Sequence, residues 1–188
     1  MYVVIEGVDT AGKSTQLSIL QKNHADAIFT KEPGGTKLGV KLREMALGGE
    51  AQSKMAEMFL FLADRSEHIE EVIKPNQDKM VISDRSVISG IAYANSLPLE
   101  VVTSLNLIAT SNTLPTHAIL LELSKEELKN RLSQKEHDSI ESRGIEYLLD
   151  IQDRMKKTME LLNINHIYID ASESIETIAK QIEDFINE

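Results

Sequence analysis

The chain lacks cysteine and tryptophan, and it has only 9 glycines and 4 prolines among 188 residues. The absence of cysteine excludes disulfides, thiol nucleophiles and thiolate zinc sites. Few glycines and prolines, together with no internal repeat, exclude collagen-like and solenoid architectures. Basic residues are also scarce, because 20 Lys and Arg stand against 30 Asp and Glu. The formal charge of −10 argues against a protein that binds nucleic acid through a broad basic surface, although a few cations could still hold a small anion.

Long hydrophobic runs are absent as well. No apolar stretch approaches the roughly 20 residues that a membrane-spanning helix needs. The chain enters an apolar β-branched run at residues 3–5, with no basic segment or cleavage site before it. We therefore expect no membrane association and a cytoplasmic location. A hydrophobic fraction of 41% and a length of 188 residues predict a globular chain with one domain, residues 1–188.

Short apolar runs alternate with longer helical patterns along the chain. The apolar runs predict strands covered on both faces, at residues 2–5, 27–30, 80–83, 118–123 and 167–169. Helical spacing predicts helices near residues 13–24, 37–47, 52–73, 99–112, 125–135, 144–163 and 175–186, the last with Ser174 as its N-cap. This alternation predicts an α/β fold, in which a five-stranded parallel sheet is flanked by helices and ligands bind at the carboxyl ends of the strands.

The clearest motif follows the first predicted strand. Residues 7–14 read G-V-D-T-A-G-K-S, which matches the phosphate-loop pattern G-x-x-x-x-G-K-S/T. In this pattern the glycines let backbone N–H groups surround phosphate oxygens, Lys13 adds a positive charge and Ser14 offers a hydroxyl to Mg²⁺. A strand before the loop and a helix after it supply the context that the motif requires.

A phosphate loop alone predicts only a nucleotide-binding protein. A GTPase switch is disfavoured, because the chain has no N-K-x-D guanine motif and its D-x-x-G sequence at residues 9–12 lies inside the phosphate loop. Two kinds of nucleotide-binding protein remain possible alternatives at this point. One is another small nucleoside monophosphate kinase, and the other is a P-loop protein that binds nucleotide as a regulatory switch.

Four further motifs follow the phosphate loop in order. With it, the series is E-G-x-D-x-A-G-K-S-T at 6–15, T-K-E-P-G-G-T-x-x-G-x-x-L-R at 30–43, F-L-A-D-R at 61–65, S-D-R at 83–85 and S-G-x-A-Y at 89–93. This series resembles the thymidylate kinases of bacteria. The resemblance implies a three-layer P-loop kinase fold, transfer of the γ-phosphoryl group of ATP to dTMP with Mg²⁺ in dTTP biosynthesis, and a homodimer.

The resemblance also implies roles for individual residues. The ATP-binding set is Gly7, Val8, Asp9, Thr10, Ala11, Gly12, Lys13, Ser14, Thr15 and Arg131. The Mg²⁺ set is Ser14, Asp84 and Asp9, and the dTMP set is Asp9, Arg43, Phe61, Arg65, Arg85, Gly90 and Tyr93. The residues implied to be catalytic are Lys13, Arg85, Asp9 and Arg143.

Within the dTMP set, Arg43 and Arg85 correspond to arginines that bind the phosphate. Phe61 corresponds to the aromatic side chain that stacks on thymine, although from its place in the apolar run 58–62 alone core packing is the better interpretation. Arg65 corresponds to the arginine that donates to the carbonyl edge of the base. Tyr93 corresponds to the tyrosine beneath the sugar, where a ribose hydroxyl would clash.

The least typical segments are the phosphate loop at Thr10 and a predicted lid near residues 131–144. Thr10 stands where some family members have arginine and many bacterial ones have glycine, so the lid should supply the cation for the transferring phosphoryl group. We expect Arg143 in this role, with Arg131 as second choice. The alternative is a solvated connection, because acidic residues nearly cancel the charge of this segment. The five histidines show no metal-ligand spacing and are predicted to be surface or cap residues.

Overall fold

The computed structural model describes residues 1–133 and 144–188. Five strands form one sheet in the order β2-β3-β1-β4-β5, and each neighbouring pair is parallel. The strands are β1 (Tyr2–Glu6), β2 (Ile28–Lys31), β3 (Val81–Asp84), β4 (His117–Glu122) and β5 (Asn165–Asp170). The five strands predicted from the apolar runs are therefore confirmed, as is the parallel sheet.

Helices flank the sheet. They are α1 (Lys13–Asn23), α2 (Lys37–Leu47), α3 (Lys54–His68), α4 (Val87–Tyr93), α5 (Leu99–Ala109), α6 (Lys125–Ser133), α7 (Ile145–Leu161) and α8 (Ile175–Ile186). A π-helical turn, Ile69–Ile73, and a 3₁₀ turn, Lys74–Asn76, continue α3. The predicted helices match these elements, and Ser174 caps α8 by accepting a hydrogen bond from the Thr177 N–H at 3.1 Å. None of the described helices is long and apolar enough to cross a membrane.

The strand at the centre of the sheet explains the apolar runs. All five residues of β1 are buried, and Val3, Val4 and Ile5 are fully inaccessible to solvent. A strand covered by helices on both faces loses the apolar–polar alternation of a half-exposed strand. The continuous runs therefore indicate positions inside the sheet rather than at a solvated face.

Helix α4 is the element that the sequence analysis missed. It is short, and its sequence V-I-S-G-I-A-Y is β-branched at its start and contains a glycine, so it lacks a clear helical signal. Ser86 caps it by accepting a hydrogen bond from the Ile88 N–H at 3.2 Å. Ile88, Ile91 and Ala92 are buried, and the helix packs against α5 and α7. Tertiary packing thus stabilises a helix that local propensity does not favour.

Because the strands are parallel, the loops that carry the sequence motifs lie at one edge of the sheet. The carboxyl ends of β1, β2 and β3 are neighbours, and in the paired register Ile5 lies beside Asp84, which lies beside Lys31. The loops that leave these strands carry the predicted nucleotide-binding motifs.

Candidate active site

The phosphate loop connects β1 to α1 through an unusual backbone path. Gly7, Thr10 and Gly12 have positive φ angles of 151°, 72° and 96°. A side chain at Gly7 would place its Cβ 2.9 Å from the carbonyl oxygen of Leu121, so only glycine fits there. Helix α1 begins at Lys13, directly after this loop. The free N–H groups of its first turn are therefore available to an anion bound in the loop.

Lys13 lies across the phosphate loop and is buried. Its Nζ donates hydrogen bonds to the carbonyl oxygens of Gly7 at 2.9 Å and Val8 at 3.2 Å. Burial, and next the nearby charge of Arg85, lower the pKa of Lys13 to about 8, against the opposing effect of neighbouring carboxylates. Phosphate oxygens placed beside this ammonium group would raise its pKa again. Lys13 is therefore suited to binding a highly charged anion.

Asp84 ends β3 on the other side of the loop. Its Oδ1 atom is buried and accepts no hydrogen bond from any residue that the structure describes. Asp84 and Ser14 line one cavity of about 590 Å³. A carboxylate with a free oxygen, a hydroxyl and open space between them fit Mg²⁺, which keeps several water and phosphate ligands. Over residues 1–133 and 144–188, no group of three or more acidic or histidine side chains could hold a metal by itself.

Arg85 follows Asp84 and contacts two of the other residues predicted to bind dTMP, Asp9 and Tyr93, as well as Ser89. Its Nη2 donates to Asp9 Oδ1 at 2.7 Å, and its Nη1 donates to Ser89 Oγ at 3.0 Å. Its guanidinium group lies 5.3 Å from the centre of the Tyr93 ring. Burial acts to lower the pKa of Arg85, but the neighbouring Tyr93 and carboxylates outweigh it and raise the pKa. The arginine is therefore a fixed positive charge facing the phosphate loop.

Glu6 is a buried carboxylate that contacts the residues around Arg85. It is fully buried at the end of β1 and accepts hydrogen bonds from the hydroxyl groups of Ser86, at 2.7 Å, and Ser89. Burial raises the pKa of Glu6, although these hydroxyls and the charge of Arg85 oppose the effect. Ser89 therefore links Glu6 to Arg85. Sequence analysis did not assign Glu6 a role, although it begins the E-G-x-D motif.

Arg65 is predicted to contact the base, and the structure places it in a second buried network. Its Nε donates to Glu32 Oε2 at 2.8 Å and its Nη1 donates to Asn106 Oδ1 at 2.8 Å. Its guanidinium group lies directly against Gly90, where a Cβ would approach Nη1 to 2.4 Å. Only 5% of Arg65 is exposed. Gly90 therefore belongs to the site by leaving space for this arginine.

Glu32 also binds His68. Its Oε1 atom lies 2.7 Å from Nδ1 of His68, whose Nε2 lies 2.7 Å from Oγ1 of Thr30. Burial acts to raise the pKa of Glu32, but Arg65 and His68 outweigh it and lower the pKa. His68 has no exposed surface, so the prediction that all histidines are surface or cap residues is wrong here. The available signal was its position three residues after Arg65, on the same face of α3.

Two other predicted dTMP ligands are more accessible. Phe61 is half-buried on α3 and is not one of the side chains packed into the central core, which argues against a pure packing role. Arg43 is exposed on α2, and its Nη1 donates to the carbonyl oxygen of Pro33 at 3.0 Å. The structure therefore separates the dTMP set into buried members, such as Arg65, and accessible ones.

The predicted lid lies mostly outside the described residues, and so does Arg143. Arg131, at the end of α6, is described. It donates to the carbonyl oxygens of Thr10 at 3.0 Å and Ala171 at 2.5 Å, and to the Glu127 carboxylate at 2.6 Å. The structure therefore places Arg131 against the phosphate loop.

Comparison with known proteins adds independent information. The family profile described as thymidylate kinase matches residues 5–182. The chain belongs to the thymidylate kinase family. The thymidylate kinase of Aliarcobacter butzleri is 72% identical over 187 residues, which cover 100% of this chain and 99% of that protein. The thymidylate kinase of Wolinella succinogenes is 58% identical over 182 residues, covering 97% of this chain and 96% of that protein.

A solved structure supports the fold. The crystal structure of thymidylate kinase from Ehrlichia chaffeensis matches with a TM-score of 0.77 and 22% identity, covering 100% of this chain and 98% of that one. The expected P-loop kinase fold is thereby confirmed. Membership of the thymidylate kinase family also confirms the resemblance seen in the motifs, and it makes the chain a kinase rather than a regulatory nucleotide switch.

Proposed function

We propose that this member of the thymidylate kinase family transfers the γ-phosphoryl group of ATP to dTMP, and that it does so in the cytoplasm. The decisive observation is that two cationic positions face each other at one sheet edge. Lys13 lies in the phosphate loop, and Arg85 leaves the adjacent strand and is held by Asp9 at 2.7 Å. A kinase needs two such positions, because donor and acceptor both carry phosphate.

The reaction needs no general base, since the attacking phosphate oxygen of dTMP is already anionic near neutral pH. That oxygen forms a bond to the γ-phosphorus of ATP as the bond to the β–γ bridging oxygen breaks, and ADP leaves with the electron pair. Catalysis is then positioning and charge stabilisation. Lys13 stabilises the shifting negative charge, and residues 7–15 hold the remaining phosphate oxygens through backbone N–H groups.

Mg²⁺ completes the donor site. Ser14 and the free Oδ1 atom of Asp84 would hold it, with Asp9 as a third candidate close by. When bound, the ion neutralises phosphate charge and orients the β- and γ-phosphates. Asp9 has a second function at the acceptor, where it contacts the 3′-hydroxyl of the sugar while its Oδ1 accepts from Arg85.

The arginines of the acceptor site differ in how their positive charges are balanced by carboxylates. Arg85 and Arg43 bind the dTMP phosphate, because Arg43 is exposed and the carboxylate that pairs with Arg85, Asp9, is itself partly exposed. The charge of Arg65 is balanced by Glu32 at 2.8 Å, so Arg65 serves as a hydrogen-bond donor to the neutral base. Phe61 stacks on thymine, and Tyr93 fills the space of a ribose 2′-hydroxyl.

We infer that the enzyme is a homodimer of single-domain protomers. One core cluster runs from Tyr2 to Ile186, which supports a single domain over residues 1–188. Large apolar side chains are exposed on three neighbouring helices, α2, α3 and α5: Leu38, Val40, Met45, Leu47, Met55, Phe59, Val101 and Ile108. A second copy of the chain would cover this surface. Sedimentation of Phe59→Glu should show a monomer, while Ile175→Glu, on the exposed side of α8, should stay dimeric.

A coupled assay of ADP release tests the function. We would compare dTMP, dUMP, UMP, CMP, AMP and GMP as acceptors, and expect dTMP to give the highest kcat/KM. Lys13→Ala serves as the inactive reference, and Lys22→Ala, an exposed lysine on the same helix, as the matched control. Preference for AMP or UMP would identify another nucleoside monophosphate kinase. ADP release that ignores the acceptor would contradict a kinase function altogether.

A further inference from the structure

Arg131 connects three parts of the chain through its guanidinium group. Its Nη1 donates to the Thr10 carbonyl of the phosphate loop at 3.0 Å, and its Nη2 donates to the Ala171 carbonyl after β5 at 2.5 Å. Its Nε donates to Glu127 on its own helix at 2.6 Å, which fixes the orientation of the group. A planar guanidinium bound at all three nitrogens has little freedom to move.

Thr10 is an unfavourable residue for the conformation that it adopts. Its φ angle of 72° lies in the left-handed region, which β-branched residues rarely enter. Its Oγ1 atom is buried and finds no hydrogen-bond partner within the described ranges, so the side chain gains nothing there to offset this cost. Glycine would adopt the same backbone freely. Some interaction outside the loop must therefore favour the observed conformation.

We propose that Arg131 is a positioning residue that keeps the phosphate loop in its anion-binding shape by holding the Thr10 carbonyl oxygen. The two Nη atoms of Arg131 donate to backbone carbonyl groups, those of Thr10 and Ala171, so the effect passes through loop geometry rather than through contact with the transferring phosphoryl group. Gly12, whose Cβ position lies 3.9 Å from Nη1 of Arg131, belongs to the same stretch of loop. This inference rests on the proposed ATP site, but it concerns nucleotide binding and does not depend on the identity of the acceptor.

Residue 10 offers a specific test. If Arg131 compensates for a left-handed threonine, then its removal should matter less when residue 10 is glycine. Alanine at position 10 also lacks the hydroxyl but keeps the backbone cost, so it should behave like threonine. The inference therefore predicts that glycine at position 10 reduces the effect of removing Arg131, and that alanine at position 10 does not.

The experiment measures ADP binding by calorimetry and steady-state kinetics for Arg131→Gln in three backgrounds: wild type, Thr10→Gly and Thr10→Ala. We expect a rise of about tenfold in the ADP Kd and the KM for ATP in the wild-type and Thr10→Ala backgrounds, but less than about threefold with Thr10→Gly. The KM for dTMP should not change. Arg131→Lys should recover part of the loss, since an ammonium group can bond to one of the two carbonyls. Lys129→Gln, exposed on α6, is the control.

Each other outcome overturns the inference. Equal losses in all three backgrounds would mean that Arg131 contacts the nucleotide directly. A loss confined to kcat would mean that it acts on the transferring phosphoryl group. A lower Tm with unchanged ADP binding would leave it a structural residue only. Because ADP binding is measured without an acceptor, a failure of the dTMP assignment would show separately, as normal ADP affinity with no turnover of dTMP.

Discussion

The proposed donor half of the site centres on one loop, residues 7–15, whereas the proposed acceptor half takes its side chains from that loop at Asp9, from the ends of β1, β2 and β3, and from helices α2 to α5. We propose that the donor half binds anions largely with backbone N–H groups and one lysine. In the acceptor half, buried Glu32 accepts a hydrogen bond from Arg65, and buried Glu6 accepts one from Ser89, which in turn accepts one from Arg85. Backbone geometry is a local property, while buried charges must find partners from distant segments.

This difference decides what each half tolerates. A loop of backbone donors changes little when a neighbouring side chain changes, provided that its φ angles are kept. A buried ion network has no such tolerance, because removing one partner leaves the other charge buried without compensation. The donor half should therefore fail mainly in chemistry, and the acceptor half in stability and specificity. Substitutions in each half can test this contrast.

Lys13→Ala should separate chemistry from folding most clearly. We expect kcat to fall by about a thousandfold, because the lysine charge is needed most as negative charge shifts between the phosphates. The free energy of unfolding should change by no more than about 1–2 kcal/mol, since only two hydrogen bonds to loop carbonyls are lost. Single-turnover kinetics and urea unfolding provide the measurements. Near-normal turnover of the folded variant would refute the phosphate-loop assignment.

Glu32→Gln should have the opposite profile. It leaves the Arg65 charge buried without its carboxylate, so the free energy of unfolding should fall by about 3–5 kcal/mol. The matched control is Glu57→Gln, which breaks a more exposed pair with Lys54 and should cost less than about 1 kcal/mol. Urea unfolding of both variants makes the comparison. Equal, small losses would contradict the view that the acceptor half depends on buried charge.

Tyr93→Ala should change specificity. If the ring excludes a ribose 2′-hydroxyl, its removal should narrow the preference for dTMP over ribothymidylate by about tenfold or more. Tyr93→Phe keeps the ring and should keep the preference. The ratio of kcat/KM values for the two acceptors is the measurement. An unchanged ratio in Tyr93→Ala would leave Tyr93 as a packing partner of Arg85.

Asp64→Asn should produce the smallest effect, and the effect should develop as the pH rises from about 4 to about 6. Burial, against the opposing hydrogen bond from the Gly34 N–H, raises the pKa of Asp64 to about 6. A carboxyl whose pKa is higher in the folded state stabilises the fold at low pH and loses this contribution as the pH rises through about 6. Asp64→Asn should therefore gain about 1–2 kcal/mol relative to wild type between about pH 4 and pH 6, with no further change at higher pH. If the difference in the free energy of unfolding between the variant and wild type does not depend on pH, the pKa of Asp64 is not raised in the folded protein.

The sheet and the phosphate loop could be predicted from the amino-acid sequence alone. Continuous apolar runs predicted five parallel strands, because β1, β3 and β4 are buried on both faces, although β2 and β5 at the edges of the sheet are only partly buried. The phosphate loop was predictable since its glycines and Lys13 act within nine consecutive residues, and the order of five motifs indicated the family.

Helix α4 and the hydrogen-bond network of the acceptor half could not be predicted from the sequence and became evident only in the tertiary structure. Helix α4 forms because α5 and α7 cover it, despite a weak helical pattern. His68 and Asn106 belong to no motif and Glu6 only begins one, so their roles appear when folding places Glu32 beside Arg65 and Ser89 beside Arg85. Local backbone preferences depend on residues that are adjacent in the sequence, so a sequence pattern can predict them. A buried charge is stabilised by partners that only the completed fold brings within hydrogen-bonding distance.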